Sequence, residues 1–455
     1  MPAIPTLAAK RFGTGLAAGH PAPSGAEDLL AELTAPDRLA REFPVIGSAE
    51  VWRQNAQIRD LNLAVREGSL EARDARSALR HTLYRQRVEG YVRLLQRAVA
   101  APTGFRERLQ MFWANHFTVV DKTGQFPNGP VALQEDAIRP HLAGPFSAML
   151  KAVETHPVML VYLDQAYSTG PNSELGRLGK GGLNENLGRE LMELHTLGVG
   201  APYSQTDVRQ LSRLLTGLSY RPGTGFVFDP KRADQSSEAV LGKHYGGLGL
   251  ERIGAIHAAL DDLATRPETA RHVSTQLATY FVADKPDPDL IAHMAGAWQS
   301  SGGHLAAVYA AMLEHPAAWA TDFAKVRMPF DYLAAALRSL PAGPEALGRL
   351  APGQDNRLIV NALAVMGQPI SGPPGPNGWP QTDAEWVQPQ TLAARIQWAM
   401  TAPGQIAPDL PDPRVFVQTA LADAASAELV KAAAQAETRR EGVGLILASA
   451  DFNRR

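Results

Sequence analysis

Leu183-Asn184-Glu185-Asn186-Leu187-Gly188-Arg189-Glu190-Leu191-Met192-Glu193-Leu194-His195-Thr196-Leu197-Gly198 is the stretch whose reading decides the fold. Leu183, Leu187, Leu191 and Leu194 recur at intervals of four, four and three, which is one face of an α-helix. Gly181 and Gly182 break what precedes, Asn184 is a good N-cap, and Gly198 suits the position just past a helix end. At about 100° per residue, Glu185, Asn186, Arg189, Glu190 and Glu193 share an arc of roughly 140°. His195 lies roughly 140° or more from Glu190 and Glu193 on that wheel, so it joins them only if the helix is broken. Two readings stand side by side. Glu185, Arg189 and Glu193 are spaced for i,i+4 ion pairs, the pattern of a solvated face. The flanking asparagines, poor choices for a merely soluble helix, favour a functional face.

The same helical periodicity extends outward in both directions. Alternating strand patterns are almost absent, and 34 prolines and 40 glycines punctuate short helical segments. The expected class is all-α: a large, bundle-like single fold with one small β-hairpin, at about residues 218–229, and long Pro/Gly-rich loops. Residues 1–25 read as an extended arm and 26–455 as one helical domain, with a candidate division near 200–250 into 26–200 and 250–455. Ser204 with Asp207 three residues on makes a variant capping box. Four helices are expected between Leu250 and Glu314. Trp379 and Trp386 sit in a Pro/Gly-rich loop, as anchors to the core or as an aromatic platform at a cleft mouth.

Composition excludes several classes. The chain has 455 residues and a formal charge of −2, so nothing global argues for nucleic acid. No apolar run is long enough to span a membrane. The absence of cysteine removes disulfides, thiolate metal sites and cysteine nucleophiles. No secretory signal is visible in residues 1–18, so the sequence as written reads as cytoplasmic. No feature of the sequence sets an oligomeric state. Residues 52–108 hold twelve arginines against six acids, either an anion-facing surface or solvated helix faces; the spread of the arginines around the helix favours the latter. His-Glu-x-x-His, Glu-x-x-His, Walker and Gly-x-Ser-x-Gly motifs are all missing.

Outside the central helix, Phe105, Leu109, Phe112, Trp113 and His116 share a helical face. A histidine among aromatics is usually a satisfied core residue. Here Trp113 shields the ring and keeps it neutral, which suits a base or a metal ligand. Ala152-Val153-Glu154-Thr155-His156-Pro157 is echoed faintly by Ala311-Met312-Leu313-Glu314-His315-Pro316.

Trp113-Ala114-Asn115-His116-Phe117-Thr118, Ile138-Arg139-Pro140-His141, Tyr162-Leu163-Asp164 and the central stretch resemble the bacterial family catalogued as domain of unknown function 1800. Tyr203 to Val208, His272 with Phe281 to Asp284, Gly378-Trp379-Pro380 and Ala448 to Phe452 fit the same pattern. The resemblance carries no established activity. It implies a partner related to sulfatases and alkaline phosphatases encoded nearby, and export of many similar proteins.

Two hypotheses follow. In the first the protein is an enzyme performing metal-dependent or acid/base hydrolysis. Glu190, Glu193, His116 and Arg189 are the catalytic candidates, and Asn115, Arg139, Asn186 and Asp164 the substrate-binding ones. His116, Glu190, Glu193 and His141 are the candidate ligands of a divalent metal. In the second, the same polar groups form a buried network in a non-enzymatic helical module that binds or escorts the neighbouring protein.

Overall fold

The computed structural model describes residues 2–249, 251–351 and 353–455. Among them the chain is mostly helical, with long irregular loops and two antiparallel two-stranded hairpins. The expected hairpin pairs Leu218–Arg221 with Gly225–Phe228. A second, Glu238–Val240 with Lys243–Tyr245, adds to the single hairpin that the sequence predicts. Its three-residue strands are too short to show a period, and its turn uses Leu241 and Gly242, both at positive φ, in place of the usual Asn-Gly. Asp207 steadies that turn by accepting the Leu241 N–H (2.7 Å). It also completes the capping box with Ser204 that opens the Gln205–Leu214 helix. Leu250 lies outside the described residues, and the helix following the second hairpin is Glu251–Thr265.

Within the segment expected as an extended arm, Ile4–Leu7 is an α-turn with Thr6 and Leu7 buried and Ile4 exposed, and Ala8–Phe12 is a buried π-turn. Phe12 is wholly buried, edge-on to Phe105. Apolar side chains condense into two clusters. The first runs from Ala8 through the Phe105–His116 helix and the 250–314 helices to Met328, and it crosses residues 200–250 without a break. The second joins the C-terminal half of the Leu70–Ala100 helix to Pro329–Ser339 and the helices beyond.

A cationic seam lies where the clusters meet. Arg108, Arg327, Arg395 and Arg455 are buried around one carboxylate, Asp331. Arg108 lies 3.4 Å and Arg455 3.8 Å from it. Arg108 and Arg455 cover the Tyr280 ring, Arg327 covers Phe452, and Arg395 covers Tyr332. Burial pulls Arg327 down to about 9 and Arg395 and Arg455 down to about 10.

The echo noticed in the sequence is a repeated local structure. In each copy a helix, Phe146–Glu154 or Leu305–Glu314, ends at a His-Pro pair. The histidine Nδ1 then caps the next turn by accepting the N–H two residues on, at 3.3 Å for His156 and 3.2 Å for His315. The two helices also start side by side, through reciprocal backbone bonds between residues 144–146 and 303–305.

Candidate functional site

The central stretch begins as the leucine spacing predicts and then departs from it. Asn184 Oδ1 accepts the Asn186 N–H (2.8 Å), and the α-helix runs Asn186–Glu190. Leu191–His195 is then a π-turn. The wider turn leaves carbonyls without helical partners, and other groups take them up. Thr196 Oγ1 donates to Leu191 O (2.6 Å) and the Gly198 N–H to Met192 O (3.1 Å). His272 Nε2–H donates to Leu194 O (3.1 Å) and His116 Nε2–H to His195 O (3.2 Å). A carbonyl only accepts, so both rings carry their proton on Nε2. Burial holds His116 well below its ordinary value, with His195 and His272 nearby pushing the same way; burial lowers His272 as well.

The π-turn is the break in the helix that His195 needed. Its ring turns inward, and its Nδ1 meets Glu154 Oε1 at 2.7 Å, with both side chains sealed from solvent. Glu154 Oε2 is buried without a partner. His195 and Glu190 are near enough to interact electrostatically, which the regular wheel forbade. Glu190 is half-buried, and that burial, helped by Glu193, raises its carboxyl above the usual range against the pull of His195, Arg189 and Lys122. Tyr162 is pushed up to about 12 by burial and by the Glu190 charge. Lys122 Nζ sits 4.2 Å above the Tyr162 ring and 3.3 Å from its carbonyl. Glu193 pairs with Arg189 at 3.4 Å, and burial together with the nearby Glu193 charge raises the Tyr203 hydroxyl.

The other candidates are distributed as follows. Arg189 bridges Glu185 (3.5 Å), Glu193 and Gln205 (3.2 Å), so the i,i+4 ladder and the acid pair coexist on one face. Asn186 is exposed at the first helical position. Asp164 is exposed, with φ at 58°, and ends the Pro157–Tyr162 helix. Asn115 clasps the backbone of Trp379, donating to its carbonyl (3.0 Å) and accepting its N–H (2.6 Å). With Trp386 buried and bonded to Pro380 O (3.0 Å), both tryptophans anchor their loop. Arg139 has every N–H spent on Asp37, Glu107 and Gln110, which leaves it no donor for an anion. His141 is half-buried, and burial lowers it.

The four expected metal ligands lie as follows. Among the described residues no three His, Cys, Asp or Glu side chains converge so as to hold an ion, and His116, Glu190, Glu193 and His141 form no such set. His116 is turned to a backbone carbonyl instead. Sequence reasoning gave no site role to Glu154, Tyr162, Lys122 or His272. Glu154 stood in the His-Pro echo and Tyr162 in a quoted motif, but neither carried a sign of what it touches.

Residues 8–454 match the family model described as "Protein of unknown function (DUF1800)". The chain belongs to this family. No curated protein and no solved structure matches it. The DUF1800 match takes in every residue of the site, from His116 to His272. No helix among the described residues is long and apolar enough to cross a membrane.

Proposed function

We propose that the protein is a hydrolase working by acid/base catalysis on an anionic substrate, with Glu190 as general acid and Glu193 as general base. The observation that carries this reading is the raised carboxyl of Glu190, three residues from a second carboxylate and in the field of a buried Glu154–His195 pair. A carboxyl raised above its usual range beside a second carboxylate is a common mark of an acid/base pair. Glu193 takes a proton from water as the water oxygen attacks the electrophilic centre. Glu190 gives its proton to the leaving group as that bond breaks, and solvent returns the proton from Glu193 to Glu190. His195 and Glu154, both sealed from solvent, are positioning residues. Lys122, exposed beside Glu190, holds the anionic part of the substrate.

The test is a panel of 4-nitrophenyl esters, glycosides and phosphates. For the substrate that turns over, Glu190→Gln and Glu193→Gln each lower kcat by about a hundredfold or more. Lys122→Ala raises KM. No turnover on any member, or full activity in Glu190→Gln, removes the reading.

One observation favours the non-enzymatic module instead. His116 and His272 spend their only ring N–H on carbonyls freed by the π-turn, as members of a packing network do. In that reading Glu190→Gln changes nothing but stability, and the escorted neighbour is the sulfatase-like or phosphatase-like partner that the family resemblance implies.

A further inference from the structure

The Ser48–Arg66 and Leu70–Ala100 helices are joined by three residues and run back antiparallel to one another. Between residues 57 and 87 only Ala72 and Leu83 are buried. The far end of this hairpin therefore stands clear of both cores, with Leu63 49% and Leu70 71% exposed; nearer the body, Tyr84 is 44% exposed and its hydroxyl donates to Asn356 Oδ1 (2.7 Å). A groove of about 240 Å³ runs along it, closed on its other side by residues 121–127.

Three arginines line the groove: Arg76, Arg80 and Arg87. They fall at intervals of four and seven, so they share one face of the helix. Among the described residues none of the three makes an ion pair, whereas Arg53, Arg59, Arg85 and Arg97 of the same two helices each have a carboxylate. Arg76 has only the Asn62 amide oxygen (3.2 Å), and Arg87 Nε is buried with no partner. The single acid in the groove, Asp121, accepts the Phe126 N–H (3.2 Å). Leu79, Leu83 and Tyr84 lie among the arginines on the same wall. Arginine and tyrosine around aliphatic surface is the composition of protein-binding hot spots, while a bare phosphate has no use for the apolar part.

We propose that this groove binds an acidic segment of a partner protein, its carboxylates on Arg76, Arg80 and Arg87 and its apolar side chains against Leu79 and Tyr84. From Arg76 to Arg87 the helix rises about 16 Å, the length of roughly five residues of extended peptide. The arginine excess of residues 52–108, which the sequence alone favours as solvated faces, then has a local purpose on one side of one helix.

The probe is a fluorescent peptide of repeating Glu-Leu-Asp, titrated with the full chain and followed by anisotropy. Its Gln-Leu-Asn counterpart, inorganic tripolyphosphate and a single-stranded oligonucleotide are the comparison ligands. The acidic peptide is expected to bind, to weaken as salt rises, and to lose about tenfold or more in affinity in the Arg76→Glu, Arg80→Glu double variant. Both positions face the groove on the protruding end, and the circular dichroism and thermal melt of the variant report that the fold is kept. Equal binding of the neutral peptide, indifference to the charge reversals, or capture of tripolyphosphate or oligonucleotide without the peptide overturns the proposal. None of these readouts involves Glu190 or Glu193, so the proposal stands or falls apart from the hydrolase reading.

Discussion

His156 offers a measurable proton switch on folding stability. Its ring is buried beside Trp52, with centroids 5.4 Å apart. Nε2 lies 3.0 Å from Ser48 Oγ, while Nδ1 accepts the Val158 N–H that starts the Pro157–Tyr162 helix. A proton on Nδ1 would destroy that cap. Burial lowers the ring from 6.5 to about 4, with Asp136 pulling weakly the other way. Well above pH 6.5 both folded and unfolded His156 are neutral, and the group contributes nothing to pH dependence. Between 6.5 and about 4 the unfolded chain takes a proton that the folded chain refuses, so stability falls as pH falls. At about 1.4 kcal/mol per unit, the whole loss from this one group is about 3 kcal/mol. His156→Asn keeps an N-cap acceptor but cannot titrate. Urea unfolding of both proteins at several pH values between 7 and 4 isolates the effect. His116, His141, His257 and His272 are also lowered, but they are common to both proteins and cancel. The variant starts less stable at pH 7 and gains on the wild type by about 3 kcal/mol by pH 4. Parallel pH curves would refute the buried, neutral cap.

Glu190→Gln should raise stability at pH 7. The folded carboxyl titrates above its unfolded value, so stability drops as pH rises through that window; the gain should vanish below about pH 4.5, and chemical denaturation at the two pH values checks it. Asp331→Asn removes the carboxylate paired with buried Arg108 and Arg455, and it should cost about 3–5 kcal/mol. With unfolding entropy near 2.1 cal/mol/K per residue over 455 residues, that is a fall of roughly 3–5 °C in Tm by calorimetry. Gly198→Ala forces a side chain onto φ 92°, with its Cβ 2.8 Å from His272 Nδ1. A loss of about 1 kcal/mol or more and a displaced His272 imidazole resonance in NMR are expected.

Periodicity and capping chemistry are local, so the sequence by itself determined what depends on near neighbours. The all-α class, the Ser204 cap, the first hairpin, the Glu185–Arg189–Glu193 ladder and the acid pair at Glu190 and Glu193 were all legible from spacing. A helical wheel assumes a constant angle per residue, and the π-turn at Leu191–His195 violates that assumption. The turn persists because Thr196, His116 and His272 supply donors for the carbonyls it exposes, and two of those three donors come from distant helices. Only the tertiary structure, therefore, decided that His195 faces Glu154, that His116 serves a backbone carbonyl, and that Arg139 belongs to Asp37 and Glu107. Which charge meets which is a property of packing between segments remote in sequence, and no periodicity within one segment encodes it.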